Sequence, residues 1–204
     1  MRSERLIVPA GAVRLRPLVR GDYQQWRRLR LLDEHALRRV EPTVHGSWEE
    51  LHSAGEFRRL RRQWKLMERD RTAVVTAIDV DGQCRGMVTL GSIRPYPVAS
   101  CWVGYWVGSP YYGAGIATAA VALACDAAAK LGVHRVEATV REDNFASLEV
   151  LRRCGFQLEG VVREAFHMDG AWRDHQLLST IAPAAVVGRV TQAGYAEPEA
   201  WHGD

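Results

Sequence analysis

The chain has 204 residues, 47% hydrophobic, 25% charged and 8% aromatic, enough apolar material for one substantial core and outside the collagen-like, mucin-like and disordered ranges. Net charge is +3 but uneven: residues 1–72 hold 17 Lys+Arg against 10 Asp+Glu, and the remainder 10 against 14. The longest apolar-rich run, 116–129, contains Asp126 and falls short of the roughly 20 residues of a membrane span. No secretory-leader pattern opens the chain, and Cys84, Cys101, Cys125 and Cys154 form no Cys-x-x-Cys pair. Zinc-ribbon and dithiol chemistry lose their usual signature, and a reduced, cytoplasmic protein is expected.

In chain order, alternation around Arg14 and Arg16 predicts a strand over 13–19. A helix follows from Gly21-Asp22, its stripe read as Tyr23, Trp26, Leu29 and Leu32. Ser47 with Glu50 is a capping-box pattern for a second helix with Leu51, Phe57, Leu60, Trp64 and Met67 inward. Its Arg58, Arg59, Arg61 and Arg62 read as a solvated face. Arg makes up 25 of the 27 basic residues, so a global Arg bias competes with nucleic-acid binding as the cause of the basic surplus.

From residue 72 the period changes. Strands are predicted over 72–80, 85–93 and 99–107, the first two joined by the hairpin dipeptide Asp81-Gly82. After a glycine-rich turn come an Ala-rich helix, a strand over 135–140, and a helix over 145–154 closed by Gly155. Two last strands, 156–166 and 171–181, flank Met168-Asp169-Gly170. The fold class is α+β: a mixed, mostly antiparallel sheet flanked by helices, one domain over 1–181, with 182–204 read as a C-terminal tail.

The sharpest local feature is Val107-Gly108-Ser109-Pro110-Tyr111-Tyr112-Gly113-Ala114-Gly115-Ile116-Ala117. A strand ends, the chain turns through glycines, and a helix begins on small side chains. Such a turn brings successive backbone N–H groups and a helix N-terminus close to an anion, which suits a pyrophosphate. It is neither an ATP loop, lacking Gly-Lys-Ser/Thr, nor a dinucleotide loop, lacking the third glycine. About thirty residues on stand Asn144-Phe145-Ala146-Ser147, Leu151 and Gly155-Phe156.

Together the two motifs resemble the GNAT superfamily of acyl-CoA-dependent N-acyltransferases, over roughly residues 12–181. Gly104-Tyr105-Trp106-Val107, the run 156–160, Asp169 to His175 and Glu41-Pro42 are most similar to the ribosomal-protein N-terminal acetyltransferases of the Rim type. The resemblance implies direct attack of an amine on the thioester of acetyl-CoA, with no metal. It implies that the Val107 N–H polarises the acetyl carbonyl. The N–H groups of Gly113, Gly115 and Ala117, with neighbours Tyr112, Ala114, Ile116 and Thr118, would hold the pyrophosphate. Asn144 would orient the pantetheine, and Ser147 would donate to the departing sulfur.

Two departures qualify the likeness. Tyr112 stands where the superfamily usually has Arg or Gln, and Trp102 where many relatives carry a Glu base. Glu41 is then the candidate base, or else shapes the substrate entrance; His167 and His175 read as structural. Expected partners are acetyl-CoA and a primary amine, a protein N-terminus foremost, with ribosome association in view, no membrane, and an oligomer left open. The competing readings are a small amine, an aminoglycoside or a lysine side chain as acceptor, or an RNA-associated assembly factor with a secondary CoA site.

Overall fold

The computed structural model describes residues 1–199. Strands β1 (Arg5–Val8) and β2 (Gly11–Pro17) form a hairpin. A 3-10 turn at Arg20–Asp22 leads into helices α1 (Tyr23–Leu32), α2 (Glu34–Val40), α3 (Trp48–Leu51) and α4 (Ala54–Arg69). Then come β3 (Val74–Val80), β4 (Gln83–Arg94), β5 (Ser100–Val107), α5 (Ile116–Lys130), β6 (Arg135–Val140) and α6 (Phe145–Arg153). Strands β7 (Gln157–Met168) and β8 (Ala171–Ile181), helix α7 (Val186–Gln192) and a short β9 (Glu197–Pro198) complete the described chain.

All nine strands join one sheet in the order β7-β8-β6-β5-β4-β3-β2-β1-β9. Both Asp-Gly dipeptides make two-residue hairpins in which each residue has positive φ: Asp81 (49°) with Gly82 (85°), and Asp169 (50°) with Gly170 (74°). That backbone twist matches the right-handed twist of the flanking strands, so the pairing expected from sequence follows. Every neighbouring pair is antiparallel except β5 and β6. These run parallel and pair only from Ser100↔Arg135 to Trp102↔Glu137. Beyond that point the two strands part, and the sheet opens.

The faces differ. On one, α5 lies against β2, β4 and β5, with α6 and α7 beside it. Leu123, Val121, Ala124 and Cys125 are fully buried there with Val13, Leu15, Val136 and Leu151. Apolar on every side, α5 is a buried helix rather than an amphipathic one. On the other face α1 and α4 cover a smaller cluster in which Trp26, Phe57, Ala77, Cys84 and Met87 meet.

Four differences from the sequence reading have local causes. The first helix breaks at Asp33, whose buried carboxylate accepts a hydrogen bond from the Ser109 N–H at 2.8 Å and so ties the break to the glycine turn. Leu32 is exposed while Arg30 is buried; steps of three lag behind a 3.6-residue turn, so the stripe has rotated to solvent by Leu32. The second helix is two, because Ser53 caps afresh by accepting from the Glu56 N–H at 3.3 Å. Residues 182–199 are no loose tail. Val186, Val190 and Ala196 are buried in the α5 core, and β9 pairs with β1, a strand the sequence reading did not include. The last five residues of the expected tail, 200–204, lie outside the described residues.

Candidate active site

The helix following β5 begins at Gly115, which sits in the left-handed region (φ 80°, ψ −10°). A Cβ there would lie 3.1 Å from the Val8 Cβ, so both conformation and packing call for glycine. The backbone N–H groups of Gly113, Ala114, Gly115, Ile116, Ala117 and Thr118 take no acceptor among the described residues. They face outward at the positive end of α5, a cradle for an anion. Tyr112 contributes less than expected: its N–H donates to the Ser109 carbonyl at 3.2 Å, and its side chain is exposed.

Val107 closes the strand that leads into this turn. The Gly108 N–H donates to the Arg85 carbonyl at 2.9 Å. Residue pairs alternate between bonded and unbonded in an antiparallel ladder. Met87 and Trp106 are therefore the next bonded pair, and the N–H of Val107, opposite Gly86, points away from β4. Because β6 has already diverged, that N–H looks into the opening between the strands.

Ser147 stands on the first turn of α6. Asn144 caps that helix by accepting from the Ser147 backbone N–H at 3.2 Å. The Ser147 hydroxyl is not the cap; its Oγ lies 2.9 Å from the Tyr105 hydroxyl, which reaches it across the opening from β5. Burial pushes the Tyr105 phenol well above its usual pKa, so it stays protonated and able to donate. Sequence reasoning missed this pairing, since the two residues are 42 positions apart.

Tyr105, Asn144 and Ser147 line one end of a cleft of about 720 Å3 that runs over the sheet to α1 and α4. Trp102 forms part of its floor, with the indole lying over Gly91, where any Cβ would be 2.1 Å from the ring, and donating to the Ser92 Oγ at 3.1 Å. Glu41 and Glu137 are the carboxylates of the wall. Neither is free. Both Glu41 oxygens are held by Arg30 Nη1 and Nη2 at 2.5 Å, and Glu137 by Arg135 Nε at 2.8 Å. Glu41 is thus committed through both oxygens to Arg30 in the wall of the cleft.

Arg30 is the second residue the sequence hid. Its guanidinium stacks on Trp48 (4.9 Å) and Trp106 (5.2 Å), and its Nε donates to the His52 Nε2 at 2.9 Å. The His52 Nδ1 donates to the Trp48 carbonyl at 2.6 Å, which leaves a neutral ring; burial holds its pKa below the usual range. A buried Arg in an apolar stripe is the only sequence signal of this network. His175 also lines the cleft, its Nδ1 3.0 Å from the Arg173 carbonyl and its ring edge-on to Phe166. His167 stacks edge-on against Trp172.

All four cysteines are free and buried, and burial raises Cys101 and Cys154 to about 12. Thiols so protonated are poor nucleophiles at neutral pH. Among the described residues no helix is long and apolar enough to cross a membrane, and no group of three or more His, Cys, Asp or Glu is placed to hold a metal.

A backbone anion cradle, a sheet opened between parallel strands, and an N–H aimed into the opening define an acyl-transfer site of the CoA-dependent class. Residues 12–157 match the family model described as the acetyltransferase (GNAT) domain, and the chain belongs to that family. It is similar to the structure of Mycobacterium smegmatis RimJ in complex with CoA-disulfide, at 37% identity and TM-score 0.93, over 97% of this chain and 96% of that one. "Probable N-acetyltransferase YjcK" of Bacillus subtilis is 33% identical over 133 residues, 63% of this chain and 72% of that protein. The [ribosomal protein uS5]-alanine N-acetyltransferase of Escherichia coli is 32% identical over 91 residues, 44% of this chain and 47% of that protein. The protein is thus an acetyl-CoA-dependent acetyltransferase similar to RimJ, and the donors around Gly113–Thr118 suit the co-substrate's phosphates.

Proposed function

We propose that the enzyme acetylates the N-terminal α-amine of a protein, a ribosomal protein foremost, in the cytoplasm. The observation that carries this reading is the state of the cleft carboxylates. Glu41 and Glu137, the carboxylates lining the cleft, are each engaged by an arginine, and Trp102 stands beside them on β5. A site without a free carboxylate suits an acceptor that is already partly deprotonated. An α-amine, with pKa about 7.7–8.0, meets that condition; a lysine, at about 10.4, does not. The likeness to enzymes that modify ribosomal-protein alanine supports the same acceptor.

Val107 donates its N–H to the carbonyl oxygen on which charge develops, an electrostatic role that fixed backbone geometry serves well. Ile116, Ala117 and Thr118 bind the pyrophosphate through main chain, with Gly113, Ala114 and Gly115. The Tyr105 hydroxyl reaches both the Ser147 Oγ, at 2.9 Å, and the Ser147 carbonyl, at 3.2 Å; with its proton given to Oγ, Ser147 turns its own proton toward the departing sulfur. Asn144, its carbonyl engaged as the cap, offers its amide N–H groups to the pantetheine.

The test is turnover of matched peptides with mass detection. Peptides with a free N-terminus should show higher kcat/KM than the same peptides blocked there and carrying Lys. Equal or better turnover of the blocked set rejects the α-amine assignment.

A further inference from the structure

Arg20, Arg58, Arg61, Arg62 and Lys65 line a groove of about 270 Å3 on the outer side of α4. Neighbouring arginines of that helix are neutralised, Arg59 by Glu56 and Arg69 by Asp70. The five groove cations have no carboxylate within ion-pair distance among the described residues. The four on α4, Arg58, Arg61, Arg62 and Lys65, fall at i, i+3, i+4 and i+7, so like charges stand over one another and repel. Neighbouring cations on the helix stand one turn apart, about 5.4 Å of rise, inside a Debye length of about 8–10 Å, so their potentials add. Arg61 is pre-set: its Nε donates to the Leu18 carbonyl at 3.1 Å, with the guanidinium 5.9 Å from the Phe57 ring centre.

We propose that this groove docks the phosphate backbone of RNA without reading its sequence. Four of the five cations are guanidiniums, whose fork fits phosphate oxygens in pairs. From Arg58 to Lys65 the helix rises about 10.5 Å, long enough to meet successive phosphates of one strand. No aromatic side chain lines the groove, so it offers charge and no platform for stacking bases. The same helix turns Leu60 and Trp64 into the acceptor cleft. Bound RNA would lie about one helix diameter, 10–12 Å, from that cleft. A protein N-terminus emerging beside RNA could then reach the acetyl group. The role given to the docked RNA rests on the ribosomal-protein reading above; the binding itself does not.

The test uses the full chain and a short mixed-sequence single-stranded RNA, titrated by fluorescence anisotropy over a range of salt. Five phosphate contacts predict a log–log salt slope of about −3.5, taking about −0.7 per contact. The variant Arg58→Gln, Arg62→Gln, Lys65→Gln should bind at least tenfold more weakly, with a slope near −1.4. Its turnover of a free peptide should match wild type, which also shows that it folds. The charge-retaining variant Arg58→Lys, Arg62→Lys should keep the RNA affinity to within a few-fold. Unchanged affinity of the triple variant overturns the proposal. So does displacement by polyglutamate as effective as by RNA, or tighter binding to anionic phospholipid vesicles than to RNA. Failure of wild type to acetylate free N-termini, with RNA binding intact, would reject the acceptor assignment and leave the groove standing.

Discussion

The two faces of the sheet solve different problems with different materials. On the α5 face the donors proposed to meet the co-substrate are main chain: N–H groups from Gly113 to Thr118 and the N–H of Val107, on a closely packed apolar support. On the α1–α4 face the cleft proposed for the acceptor is walled by side chains, namely indoles, Arg30 and two arginine-bound glutamates. Main-chain recognition, as proposed for the glycine turn, tolerates side-chain change at exposed positions such as Tyr112. Side-chain recognition does not, so under the proposed function acceptor choice is set on the second face.

That contrast can be broken most severely at Arg30. Arg30→Met leaves the Glu41 carboxylate and His52 Nε2 without their donor at a largely buried site. Removing one partner of a buried pair typically destabilises by 3–5 kcal/mol; Glu41 is part-exposed, so about 3 kcal/mol is expected by denaturant unfolding. Acetyl-CoA affinity of the folded fraction should be unchanged. A loss below about 1 kcal/mol would show that the network is not what holds the acceptor wall.

On the other face, Ala114→Glu places a carboxylate beside the loop N–H groups without backbone strain, Ala114 being neither buried nor at positive φ. Acetyl-CoA should bind at least a hundredfold more weakly by calorimetry, about 2.7 kcal/mol, with the melting temperature near wild type. Gly115→Glu is a poorer probe, because positive φ and the Val8 contact would disturb the turn as well. Unaltered affinity of Ala114→Glu would remove the phosphate cradle from this loop.

The smallest effect expected joins the faces, at Ser147. Since the cap bond uses its backbone N–H, Ser147→Ala leaves α6 capped. Single-turnover transfer at saturating acetyl-CoA should fall about ten- to hundredfold, roughly 1.4–2.8 kcal/mol, with affinity and melting nearly intact. Early melting with normal turnover would make the Ser147–Tyr105 contact a structural bridge.

What the sequence determined by itself is local in chain and in cause. Asp-Gly needs positive φ at successive residues, so both hairpins were legible. The Gly115 turn and the Asn144 cap each close over a few residues, and the two motifs at their spacing carried the family. The tertiary structure decided what depends on remote partners. Divergence of β5 from β6 after Trp102↔Glu137 makes the opening, and no residue in either strand announces it. Ser147 finds Tyr105, and Arg30 finds His52, only when separate elements pack. Residues 182–199 lack a clear period because α7 is short and β9 is two exposed residues. Their place comes from Val186 and Val190 filling the α5 core and from β9 meeting the free edge of β1. Backbone conformation responds to the nearest few side chains, whereas burial and ion pairing respond to whichever elements the fold brings together.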